Sequence, residues 1–95
     1  MKKLYEPKPV KVEEVDGEGL VGLLGKNVLL FCANYFYAGK LVGVNTDFVM
    51  LEKGAGIVYE TGPFDSAKFK DFQPIGNTVY VKTSAIESFA ETTKF

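Results

Sequence analysis

The 95-residue chain contains no histidine, no tryptophan and a single cysteine. Without histidine it lacks the commonest general base and metal ligand. Cys32 has no imidazole to activate it as a nucleophile and no partner for an intrachain disulfide. It lies in an apolar run and reads as a buried free thiol of a reducing compartment. Only carboxylates remain as metal ligands, and Glu13–Glu14 and Asp16–Glu18 read as surface charge, not as a poised pair. No glycine-rich loop ends in a lysine at phosphate-binding spacing. The stretch Glu52-Lys53-Gly54-Ala55-Gly56 follows a strand without opening a helix, and reads as a hinge. Neither catalysis nor a cofactor nor a metal is expected.

Long hydrophobic runs are also missing. The longest spans residues 28–33, against the ~20 needed to cross a bilayer as a helix. The basic start MKKLYEPKPVKV is not followed by the apolar segment of a signal peptide. A soluble, cytoplasmic protein without a membrane partner is expected. Net charge is −1, which excludes the broadly basic surface of a non-specific nucleic-acid binder; a nucleic-acid site here has to be local.

What the chain does have is 46% hydrophobic and 24% charged residues, the composition of one folded domain with a modest core. Residues 1–15, with Lys2, Lys3, Lys8, Lys11, Pro7 and Pro9, read as an arm, and a short edge strand fits Val10 and Val12. Asp16 is placed to cap a short helix carrying Leu20, Leu23 and Leu24, which Gly25 ends in a left-handed conformation. From Lys26 the pattern is β. Strands are expected at 27–32, 36–44 and 48–52, the last continuing past the hinge through 57–59, then at 78–82 and 86–90. Asn34 serves a tight turn as a residue tolerant of positive φ. Residues 61–77, rich in Gly, Pro and charge, form an excursion with a helical turn near 65–70, and Phe64, Phe69 and Phe72 imply that it packs on something.

The strand segments are apolar at both parities. Val28 and Leu30 face one way, Leu29 and Phe31 the other; Leu41 and Val44, and Phe48 and Val49, likewise take opposite faces. Strands covered on both sides need a second layer, for which a partner subunit is the simpler source in so short a chain. Gly39 and Gly43 are placed to bend the second strand into a small antiparallel barrel.

The segment GKNVLLFCANYFYAGKLVGVNTDFVML resembles the first motif of the Sm and Sm-like (LSm, Hfq) proteins. Gly25-Lys26, Val28, Tyr37, Gly39, Leu41, Gly43 and Val44 match, and Phe48 takes the Met position. The second motif is similar to Val79-Tyr80-Val81-Lys82-Thr83-Ser84-Ala85-Ile86. The resemblance implies a mainly β fold: a short N-terminal helix followed by a strongly bent five-stranded antiparallel barrel over residues 16–95. It also implies assembly into a homomeric ring of five to seven copies, with the fourth strand of one copy pairing with the fifth of the next. In such a ring a polar loop lines the pore and holds single-stranded RNA.

Transferred to this chain, the pore-lining, RNA-binding positions are Asn45, Asp47, Val49, Lys82, Thr83 and Ser84. The residues at these positions differ from the family's uridine pocket. Asp47 stands where a planar side chain stacks on a base, Val49 where an Asn reads the base edge, and Lys82 where an Arg closes the site. Two readings stay open: a ring binding RNA at a modified pore site or on its opposite face, and a ring serving as scaffold or protein-interaction module that has lost the pocket. A monomeric peptide-binding barrel of the Src-homology type is a third.

Overall fold

The computed structural model describes residues 19–63 and 66–93. The N-terminal arm, the expected strand at Val10 and Val12, the Asp16 cap, Phe64 and Asp65 lie outside them. The described chain is mainly β, with seven antiparallel strands in one sheet. They are β1 (Asn27–Cys32), β2 (Phe36–Val44), β3 (Phe48–Leu51), β4 (Gly56–Glu60), β5 (Asp71–Pro74), β6 (Val79–Lys82) and β7 (Ile86–Glu91). No α-helix occurs among the described residues. Where a short helix is expected, Val21–Leu23 form one 3-10 turn. Gly19 (φ 68°) leaves helical geometry just before it, so no longer run of hydrogen bonds can build there. Leu20 and Leu23 still pack on the core, whereas Leu24 is exposed. Gly25 closes the turn with φ 84° as expected.

The sheet runs β5-β4-β2-β1-β7, with β3 pairing both β2 and β6. β2 is the shared element. Its first half pairs with β1 (Leu30↔Tyr37) and with β4 (Tyr37↔Ile57); its second half pairs with β3 (Val44↔Val49). The strand expected at 48–59 is therefore two, both running along β2 and separated by a turn in which Ala55 N–H donates to the Glu52 carbonyl. The next strand is broken at the same level: Pro74 of β5 pairs with Gly56, and Val79 of β6 pairs with Leu51. Residues 52–55 and 75–78 thus interrupt neighbouring strands side by side. The sheet bends along that line, with β7-β1-β2-β4-β5 on one limb and β2-β3-β6 on the other.

The inside of the bend holds the main core: Val28, Leu30, Leu41, Val49, Leu51, Ala55, Val79 and Val81, with Cys32 at its end. Leu30, Leu41, Leu51, Val28 and Val49 are the largest completely buried side chains, each worth about 1.5–3 kcal/mol of transfer free energy. The outer face of the first limb carries a second cluster, in which Leu29, Ala38 and Val58 are packed against Phe31, Phe36, Phe69 and Phe72. Part of the cover over this face comes from the chain itself, from Phe69 and Phe72 of the 61–77 excursion. The excursion supplies β5 and a Phe69–Phe72 stack with ring centroids 6.4 Å apart. A partner subunit is therefore not the sole source of cover for strands apolar on both faces. Residues 66–68 form bends, not the expected helical turn.

Two smaller expectations also change. Leu41 and Val44 face the same core, because the β2–β3 register shifts between Leu41 and Gly43 and the bulge reverses the parity. Asn34 has no positive φ; no described non-glycine residue does.

The bend explains one of the two strand glycines. A Cβ at Gly39 would collide with the Ala55 Cβ and lie 3.1 Å from the Ala55 Cα, so the turn linking β3 to β4 can seat against β2 only if residue 39 has no side chain. A Cβ at Gly43 would make an ordinary 3.4 Å contact with the Met50 Cβ. A tighter position lies in the hinge: a Cβ at Gly56 would land on the Gln73 carbonyl oxygen and 2.6 Å from the Pro74 Cα. Gly39→Ala and Gly56→Ala should each lower stability by about 1–3 kcal/mol, whereas Gly43→Ala should leave it nearly unchanged. Urea denaturation midpoints at constant slope check the ranking.

Candidate nucleic-acid interface

Two segments distant in sequence meet at the end of the second limb. One is the loop 45–47 between β2 and β3. The other is the 3-10 turn Thr83–Ala85 between β6 and β7. The loop is shaped by Asn45, whose Oδ1 accepts the backbone N–H of Asp47 (2.7 Å) and of Phe48 (2.8 Å). Asn and Asp favour such turns because a short side-chain oxygen reaches the backbone two residues on. The loop is then tied to the turn. Thr83 N–H donates to the Asp47 carbonyl at 3.0 Å, and Thr83 Oγ1 donates to the Thr46 carbonyl at 2.7 Å. The β3–β6 ladder sets the register beneath, pairing Phe48 with Lys82.

Five of the six sequence-predicted site residues are therefore brought together. Asn45, Asp47, Lys82 and Ser84 are exposed and Thr83 is half-buried. Val49 is not among them: it is completely buried in the core and pairs with Val81. It has no surface to offer a ligand.

Alternation along a strand puts Phe48 on the face opposite Val49, and Phe48 is 39% exposed. On β6 the sequence Val79-Tyr80-Val81-Lys82 alternates buried and exposed, which leaves Tyr80 and Lys82 outside. The Phe48 and Tyr80 rings meet edge to face, with centroids 5.2 Å apart. A motif match alone assigns Phe48 to an apolar position. Strand parity was the signal that could have exposed it, since Val49 facing the core requires Phe48 to face out. The site thus offers an ammonium, two aromatic rings, hydroxyls and one carboxylate, all on hydrogen-bonded backbone. All eleven basic residues of the chain are lysines, so no guanidinium can supply planar, bidentate recognition here.

A cleft of about 460 Å³ opens behind β6. Cys32, Asn34, Tyr35 and Tyr37 of the β1–β2 hairpin face Tyr80, Lys82 and Ser84 across it, and Glu87 stands at its β7 side. The Tyr35 ring meets Tyr37 at 6.4 Å and Tyr59 at 6.2 Å, both edge to face. Burial, and secondly the Glu87 carboxylate, hold the Cys32 thiol above its ordinary pKa. Burial, followed by the neighbouring Cys32, Tyr35 and Tyr59, does the same for the Tyr37 hydroxyl. Both groups are held neutral, which suits walls and floor and not a nucleophile. Among the described residues no three His, Cys, Asp or Glu side chains group as metal ligands. No described helix is long and apolar enough to cross a membrane. No family model matches the chain, and no curated protein matches it.

Two outcomes follow. Asn45→Ala should cost about 1–2 kcal/mol by leaving two N–H donors without their acceptor, and Asn45→Asp should restore most of it; urea denaturation measures both. For Cys32 the folded pKa exceeds the unfolded one, so the fold retains the proton longer. The thiol's contribution is complete below the unfolded pKa and is lost as pH rises through the thiol range toward the folded value. Stability should therefore decline on the alkaline side, and less so in Cys32→Ala once its lower baseline is subtracted.

Proposed function

We propose that this chain is an Sm-like barrel that assembles into a homomeric ring and binds single-stranded RNA at the Asn45–Asp47 and Lys82–Ser84 loops, as a non-enzymatic cytoplasmic protein. The observation that carries the reading is the Thr83 clasp, with its two hydrogen bonds to the Asp47 and Thr46 carbonyls. It ties together the two segments that the resemblance to the Sm and Sm-like proteins makes halves of one site. The strand order supports the same reading. With β3 and β4 counted as one interrupted strand, and β5 and β6 as another, five strands remain in a continuous antiparallel path. Among the described residues the outer edges of β6 and β7 have no strand partner, and unpaired edges of this kind are what ring closure would cover.

The chemistry of binding would differ from a uridine pocket. Phe48 supplies the stacking face that Asp47 cannot, because an aromatic ring stacks on any base. Lys82 supplies the positive charge as a point, with no planar fork. The Asp47 carboxylate opposes phosphate, and it favours the second reading: a ring that serves as a scaffold or protein-interaction module.

Lys82→Ala decides between the two. Under the RNA reading it should weaken binding of a short single-stranded oligonucleotide and reduce the slope of log K against log salt by about 0.7, the value for one phosphate contact on a single strand. Fluorescence anisotropy across a salt series measures both. An unchanged affinity and slope would exclude Lys82 as a contact, and a wild-type ring with no binding at low salt would establish the scaffold.

A further inference from the structure

The cleft behind β6 is continuous with the proposed RNA site through Tyr80, Lys82 and Ser84. Tyr80 lines the cleft and also packs its ring against Phe48. Lys82 lies between the two features, opposite Phe48 in the β3–β6 register and on the cleft wall. We infer that loop site and cleft form one track for two consecutive nucleotides. One base lies on Phe48, the linking phosphate on Lys82, and the next base in the cleft among Tyr35, Tyr37 and Tyr80. The inference rests on the RNA reading and adds to it a second subsite with a base preference.

The cleft has the attributes of a base pocket. Its volume of about 460 Å³ lies within the range of small-molecule sites, which are lined by aromatic and apolar side chains with a few polar groups. Tyrosines provide flat faces that accept any base by stacking. The near-perpendicular Phe48 and Tyr80 rings (89°) cannot both stack on parallel bases, so the two nucleotides must be splayed, as in single-stranded RNA recognition.

Selectivity comes from Glu87. A carboxylate only accepts hydrogen bonds, and it can take one from the exocyclic amino group of cytosine or adenine. The corresponding edge of uracil presents a carbonyl oxygen, which a carboxylate repels. Glu87 is on the cleft lining and close enough to Cys32 to raise its thiol pKa. The cleft therefore prefers an amino-bearing base, the opposite of a uridine pocket. Asn34, with both donor and acceptor, tolerates either.

The test uses the full chain and end-labelled six-nucleotide oligo(C) and oligo(U), followed by fluorescence anisotropy, with the assembly mass recorded for each variant. The wild type should bind oligo(C) about fivefold tighter than oligo(U), for one hydrogen bond gained against one repulsion. Glu87→Gln, which can donate as well as accept, should bring the two within about twofold by improving oligo(U). Tyr35→Ala should weaken both about tenfold by removing a stacking face, with the mass of the assembly unchanged. Equal affinities in the wild type that neither substitution alters would overturn the track while leaving the loop site standing. Loss of assembly in Tyr35→Ala would overturn it differently, by making the cleft a seat for a neighbouring copy. No binding of either oligonucleotide by the wild type would remove the RNA reading and the track together.

Discussion

The contact of Gly39 with Ala55 is the constraint on which the rest of the structure depends. β2 must serve two limbs of a sheet, and it can do so only if the turn between β3 and β4 crosses it closely. Once that crossing is made, the partner strands break at the same level. Gly56 allows the backbone of Gln73 and Pro74 to approach as closely on the next strand. The two limbs then close over Leu30, Leu41, Leu51 and their neighbours, and the main core is the inside of the bend. Without the bend the same residues would line one flat face with nothing opposite. A small domain cannot leave that much apolar surface in water and remain folded.

The bend also places the chemistry. The second limb carries the 45–47 loop at one end of β3 and the 83–85 turn at the end of β6, and the ladder between them brings Phe48 opposite Lys82. Asn45 and Thr83 then fix the loop with hydrogen bonds to its backbone. What results is an electrostatically mixed surface, with one ammonium and one carboxylate among aromatic rings. In a chain of net charge −1, attraction for phosphate has to come from placement rather than from quantity. The proposed RNA site accordingly leans on stacking, which tolerates sequence and needs little net charge.

Much of this was legible from residue order. Short apolar runs bounded by turn residues placed β1 and β2 at their observed limits, and the glycine-flanked Leu-x-Gly pattern pointed to a bend near residue 39. Asn45 and Lys82–Ser84 were expected in one neighbourhood because two motifs in the right order suggested it, and the Thr83 hydrogen bonds to the Thr46 and Asp47 carbonyls do bring the two segments together. Other features depended on contacts that a local pattern does not carry. β5 is too short and too polar to announce itself; Asp71–Pro74 is a strand because Val58 and Gly56 offer it an edge. The bulge after Leu41 reversed the parity on which Val44 was assigned. Val49 was drawn into the site by its motif position, although burial of the same strand face that carries Leu51 keeps it in the core. The second face of the sheet was given to a partner because nothing in the spacing of Phe69 and Phe72 says that they fold back over Leu29 and Val58.

The measurement that bears most directly on the account is a native mass spectrum of the full chain with six-nucleotide oligo(C) and oligo(U) present together at low salt. An Sm-like ring with the two-nucleotide track should give a single closed assembly of five to seven copies carrying bound oligonucleotide, with oligo(C) the more abundant adduct. A monomer at micromolar concentration would contradict the Sm-like assembly on which the functional reading is built.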